Sequence, residues 1–264
     1  MLCEQIKAFH RQRCFMMEQR KRSDLALGAF LRTQLGWLRS LPEKERKAIE
    51  KQATDLIKSP SGEWEALIRV TLAARQPFAN EEEKALKKME DLARQLPVWW
   101  TFGEDIRGFG PASLAVIIGE AGDLSNYPDH SKLWKRMGVA VCGDVRQGGL
   151  PKNAPAEAWI KHGYSPKRRS RLWNIGDALI KNNQDGEYRT AYLTRKAYEL
   201  ERDPGMTPMK AHRRAQRYME KRLLKKLWQA WRASLCVPEK AMHAMPAKKI
   251  TGDEARALLA GLDL

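Results

Sequence analysis

The chain has 264 residues, with 48 Lys and Arg against 32 Asp and Glu, a formal net charge of +16 and a pI near 9.8. That excess calls for a polyanionic partner, nucleic acid first and an acidic membrane surface second. It comes with no apolar run near the ~20 residues of a membrane span, no uncharged stretch in Met1–Arg22 that would make a signal peptide, and no metal spacing among Cys3, Cys14, Cys142 and Cys236 or His10, His130, His162, His212 and His243.

Residues 1–39 read as helix, because Ile6, Phe9, Phe15, Met16, Leu27, Phe30, Leu31 and Leu35 form a stripe between basic residues. Ser23-Asp24 is placed to cap a second helix from Leu25. Residues 43–58 repeat Ala48, Ile49, Ala53, Leu56 and Ile57 at helical spacing, and Ser59-Pro60-Ser61-Gly62 breaks the chain. A helix over Glu63–Arg75 is expected to stop before Pro77. Another starts from Asn80 as N-cap, with Glu81, Glu82 and Glu83 at its positive end, and runs to Leu96. Residues 1–97 thus form a spacer or coiled-coil-like region of long antiparallel helices. They pack as a plain bundle or pair two molecules as a homodimer.

Val98-Trp99-Trp100-Thr101-Phe102 leads into Arg107-Gly108-Phe109-Gly110-Pro111-Ala112, followed by an apolar helix. Two glycines around one bulky residue suit a tight turn, and Pro111 suits the first helical position. The amides around Arg107, Gly108, Phe109, Gly110 and Ala112 then point out of a helix start, where an anion is favoured. This is the pattern of a helix-hairpin-helix, which holds phosphate without reading bases. An ordinary αα-hairpin fits the same residues. A short helix over Asp129–Met137 ends at Gly138, and Val139-Ala140-Val141 is a brief strand or an irregular start to the next loop. Cys142–Ala156 is Gly- and Pro-rich and carries Arg146 and Lys152, a setting in which function can reside.

A short helix spans Ala156–His162, and Ser165-Pro166 caps and opens the next. That helix places Lys167, Arg168, Arg169 and Arg171 in its first turns, where the helix dipole opposes cations by up to ~0.3–1 kcal/mol each. A phosphate clamp accounts for this conflict; a solvated face is the alternative. Glu187–Arg202 is a further helix, and Thr207-Pro208 starts one that reaches Leu235. Along it, Ala211, Ala215, Met219, Leu223, Leu227 and Trp231 line one side, while Lys210, Arg213, Arg214 and Arg217 begin a basic side. Residues 98–236 form the second domain, and residues 237–264 read as a loose tail.

The order Gly108-Phe109-Gly110-Pro111, Ile117-Ile118-Gly119-Glu120-Ala121-Gly122-Asp123-Leu124, Tyr127-Pro128, Lys132-Leu133, Gly138-Val139 and Lys167-Arg168-Arg169 resembles the C-terminal domain of the insertion-sequence transposases that carry an N-terminal RuvC-like DEDD domain. The group includes the Piv/MooV invertases and the RNA-guided bridge recombinases. The resemblance covers residues 98–183, and residues 1–97 are similar to the family only in being helical, like its spacer. It implies DNA as partner, a guide-like RNA as a second, and Mg²⁺ only where a DEDD partner completes an active site. The family's carboxylate domain has no counterpart expected before the spacer-like helices. Its serine nucleophile falls at Gln147, and glutamine cannot form a covalent phosphate ester.

The expectation is an all-α protein, cytoplasmic and nucleoid-associated, with no cofactor of its own. Its sequence-stretch candidates for DNA contact are Arg107, Gly108, Phe109, Gly110, Ala112, Arg146, Lys152, Lys167, Arg168, Arg169, Arg171, Lys210, Arg213, Arg214 and Arg217. The leading function is DNA binding in transposition or recombination by a mobile element. The alternatives are an active recombinase that uses a DEDD partner or another serine, and an RNA-binding or helical interaction protein.

Overall fold

A computed structural model describes residues 1–234. The fold is all-α: among the described residues there are nine α-helices and one two-stranded antiparallel sheet, Val141–Cys142 with Val145–Arg146. None of these helices is long and apolar enough to cross a membrane. The expected tail at 237–264 and Cys236 lie outside the described residues. Among the described residues the chain divides into two compact units, Phe9–Lys87 and a second formed by Met1–Ala8 with residues 88–234. This division differs from the expected boundary at residue 97.

The first unit is built from α2 (Glu43–Lys58) and most of α1 (Leu2–Gln34) and α3 (Glu65–Arg94). Arg13 and Arg20 meet Glu82 at 3.7 and 3.0 Å, and Asp24 meets Arg75 at 3.2 Å. Ascending positions on α1 thus pair with descending positions on α3, so the two helices run antiparallel. Leu27, Leu31, Ala53 and Ile68 form the core, and Phe30 meets Trp64 edge to face at 5.2 Å. Two expected breaks do not occur. Asp24 does not start a new helix, because its carboxylate is engaged by Arg20 and Arg75 while α1 continues through it. Pro77 lies inside α3, and Asn80 is no N-cap: its side-chain oxygen accepts from Gln76 Nε2 at 2.9 Å. The apolar face of α3 holds one continuous helix, and the exposed ring tolerates the missing hydrogen bond to the Ala73 carbonyl.

The second unit contains α4 (Pro111–Ala121), α5 (His130–Met137), α6 (Ala156–His162), α7 (Pro166–Asn182), α8 (Glu187–Arg202) and α9 (Pro208–Ser234). Ser165 caps α7 as expected, its Oγ accepting from Arg168, and Asp129, expected inside the helix, instead caps α5 with Oδ1 accepting from Ser131 and Lys132. At the centre lies α9, whose Ala215, Met219, Leu223, Leu224 and Leu227 are fully buried. Each such Leu or Met contributes roughly 1.5–3 kcal/mol by leaving water. Three indoles tie α9 to α5 and the segment before it. Trp134 Nε1 donates to the Lys221 carbonyl at 3.0 Å, Trp228 to the Tyr127 carbonyl at 2.9 Å and Trp231 to Asp123 at 3.0 Å.

A Pro77→Ala variant regains the backbone bond to Ala73. The unfolding free energy of the first unit should rise by about 1–3 kcal/mol, read from urea unfolding followed by circular dichroism. No gain would mean that α3 is not helical through this position.

Candidate nucleic-acid interface

The glycine turn and the basic start of α7 lie at opposite ends of one helix. Gly108, at φ +89°, sits against the C-terminal end of α7: an added Cβ would lie 3.0 Å from the Ala178 carbonyl and 3.2 Å from Asn182. Asn183, just past α7, donates from Nδ2 to the Arg107 carbonyl at 2.9 Å. From there α4 runs antiparallel to α7, and Glu120 near its far end meets Arg168 and Arg171 at the α7 start. From Arg168 to Leu179 the axial distance is roughly 16 Å. The turn and the α7 cations, two of the expected phosphate-holding groups, therefore do not share one surface. Phe109 is buried against Phe102, Arg107 is exposed, and Gly110 and Ala112 are partly covered at the α4 start. What precedes the turn is a five-residue π-helical segment, Trp99–Gly103.

Arg168 and Arg171 converge on the Glu120 carboxylate, with Arg168 Nε 3.2 Å from Oε2. Arg168 also donates to the Arg136 carbonyl at 3.0 Å, and Arg136 to the Glu120 carbonyl at 2.8 Å. Two of the cations at the unfavourable end of α7 are thus paired from within by one carboxylate, and Lys167 alone of the four is exposed. Burial, followed by the charge of Arg168, holds the Arg136 pKa below its ordinary value.

A second carboxylate organises a larger group. Glu220 on α9 is fully buried, and Arg169 faces it with Nη1 at 3.2 Å from Oε1 and Nη2 at 2.9 Å from Oε2. Gly176 makes the room: a Cβ there would lie 2.7 Å from Glu220 Oε1 and 2.8 Å from Gln216 Nε2. Arg217 lies next to this pair. Its pKa is lowered by burial and then by Arg169 and Arg146, which outweigh Glu220 and Tyr164. Lys221 is lowered by burial and then by Arg217, and its ammonium lies 4.9 Å from the Trp134 ring centre. Arg146, Arg169, Arg217 and Lys221 come from the β-hairpin, α7 and α9: Arg169 and Arg217 act on the one acid, and Arg146 and Lys221 are close enough to Arg217 to act on it. Like charges held this close repel, and an anion placed among them relieves the repulsion.

The third acid is Glu199 on α8, 1% exposed, with Arg195, Arg202 and Arg214 at 2.5, 3.2 and 2.8 Å. Burial pushes this carboxyl up, but hydrogen bonds from Arg214 and Arg195 and the charges of Arg195 and Arg202 prevail and lower its pKa. Between the second and third clusters runs the solvent side of α9. Lys210, Arg214, Arg217, Tyr218, Lys221 and Lys225 are exposed or partly exposed at spacings of three and four, which places them on one face. That stripe is roughly 22 Å long. Arg213 is exposed one turn before Arg217.

Of the expected residues, Arg146, Arg169 and Arg217 are brought together, Lys210 and Arg214 continue their surface, and Arg168 and Arg171 belong to the Glu120 group. Lys152 is exposed in the loop before α6. Sequence reasoning passed over the three acids, Arg136, Arg195 and Arg202 as functional. A signal existed for each acid: Glu120 stands alone in an apolar helix, Glu220 follows Met219 on the core side of α9, and Glu199 lies at helical spacing from Tyr188 and Tyr192.

Gln147 is 2% exposed and is a structural crosslink. Its Oε1 accepts from Ala140 N at 3.0 Å, and its Nε2 donates to the Lys135 and His162 carbonyls at 2.9 and 3.0 Å. Ser165 serves as the α7 cap. Among the described residues no group of three or more His, Cys, Asp or Glu side chains is placed to hold a metal ion. Compared with known protein families, curated proteins and solved structures, the chain matches none.

Two stability measurements check this site. Gln147→Ala strands the Ala140 amide and the His162 carbonyl, and should cost about 1–3 kcal/mol in chemical unfolding; an unchanged midpoint would remove the crosslink. Burial raises the Glu220 pKa from 4.5 to about 7, against the pull of Arg169. The folded chain therefore keeps a proton that the unfolded chain releases, and the resulting stability, full below pH 4.5, is lost as pH rises to about 7. Between pH 5 and 8 the native protein should lose about 3 kcal/mol that a Glu220→Gln variant does not lose. Parallel pH profiles for the two proteins would contradict the assignment.

Proposed function

We propose that this chain binds DNA by its sugar–phosphate backbone, as a transposase-related protein of a mobile element with no strand-cutting chemistry of its own. The observation that carries the reading is the grouping of Arg169 and Arg217 on the single buried acid Glu220, with Arg146 and Lys221 beside Arg217, continuous with the basic stripe of α9. Guanidinium groups held by buried carboxylates lose less freedom when they bind phosphate than free side chains do. A stripe of roughly 22 Å matches about six base pairs of duplex. The motif order shared with the transposase C-terminal domain supports DNA as the polyanion. The engagement of Gln147 in three hydrogen bonds supports a binding rather than a chemical role for its loop.

Backbone binding of this kind weakens with salt, with a log–log slope of about −0.9 for each phosphate neutralised. Fluorescence anisotropy with a labelled duplex across a salt series should show a steep slope. A Lys210→Ala/Lys225→Ala variant should flatten it by up to about 1.8, if each lysine neutralises one phosphate. Lys44→Ala/Lys51→Ala on α2 serves as the charge-matched control and should leave the slope unchanged. A shallow slope for the native chain, or equal losses in both variants, would reject the proposal.

A further inference from the structure

The α8–α9 groove carries a feature that backbone binding alone does not use. Tyr198 and Tyr218 are 46% and 38% exposed. Arg195 lies between them, its guanidinium carbon 4.8 Å from the Tyr198 ring centre and 5.1 Å from that of Tyr218. Arg202 adds a further layer, 5.7 Å from the Tyr198 ring centre, with its side chain half exposed. Buried Glu199 pins Arg195 and Arg202 from below and also holds Arg214 of the α9 stripe. The result is a cluster of flat groups, two rings and two guanidiniums, held at the surface beside a line of cations.

Neither element is required by the core, since Tyr188 and Tyr192 supply the buried aromatic side of α8. A duplex offers phosphates to such a surface but keeps its base faces stacked inside. An unpaired strand offers both phosphates and base faces. Bases stack on aromatic rings and on guanidinium planes alike, with little regard for sequence.

We infer that the Tyr198–Arg195–Tyr218 cluster is a stacking platform for unpaired bases of single-stranded DNA, next to the phosphate-binding stripe of α9. The inference rests on the backbone-binding reading for the neighbouring cations, but makes a separate demand on the tyrosines. Stacking needs a flat ring and no hydroxyl, so phenylalanine preserves it and leucine does not.

The test uses the full chain and two labelled probes, an oligo-dT of about 20 nucleotides and a duplex of about 20 base pairs. Tyr198→Leu/Tyr218→Leu should weaken oligo-dT binding by about tenfold or more and change duplex binding by less than about twofold. Tyr198→Phe/Tyr218→Phe should bind oligo-dT as the native chain does. Circular dichroism melts establish that both variants fold. Unchanged oligo-dT binding in the leucine variant overturns the platform while leaving the backbone reading intact. Equal losses on both probes overturn it too, because a structural role would act on both. If the native chain binds neither probe, the backbone reading fails and the platform goes with it.

Discussion

Buried glutamates bridged to arginines set the arrangement of the second unit. Glu120, Glu199 and Glu220 lie on three different helices, and each is met by arginines from neighbouring elements or turns. An unpaired carboxylate in such a place would be costly, and so would an unpaired guanidinium. The helices are therefore held in the one register that satisfies both. Gly176 shows how specific that register is, because its missing side chain is the space that Glu220 and Gln216 occupy.

The same pairing explains a conflict visible in α7. Cations at a helix start oppose the dipole by up to ~0.3–1 kcal/mol each. Arg168, Arg169 and Arg171 stand there because Glu120 and Glu220 approach from α4 and α9. The contacts of a single fork-shaped pair outweigh the dipole term, and no ligand is needed to reconcile them. What a ligand would relieve is the remaining excess. Around Glu220 the cations outnumber the acid, and burial together with mutual repulsion lowers the pKa of Arg217. Structural pairing and a positive exterior are thus two outcomes of one arrangement.

Much of the local structure was legible along the chain. The cap Ser165, the stop at Gly138 and the extents of α2, α6 and α8 follow from side-chain chemistry within four residues. The misread boundaries share one cause. Asp24 and Pro77 carry local break signals, but the packing of α1 along α3 and the Arg20–Asp24–Arg75 contacts keep both helices unbroken. Among the site residues, basic type and face were readable on α9. The fates of Arg168, Arg169 and Arg171 were not, because their partners lie 48 to 51 positions away in sequence.

The sequence by itself determined that this is an all-α protein of strong positive charge, since helical periodicity, capping and net charge are local or additive properties. Only the tertiary structure decided which cations are consumed internally and which remain outside. It also placed the Gly108 turn and the arginines of α7 at opposite ends of that helix. Distances between groups far apart in sequence depend on how helices pack, and packing is a property of the whole core.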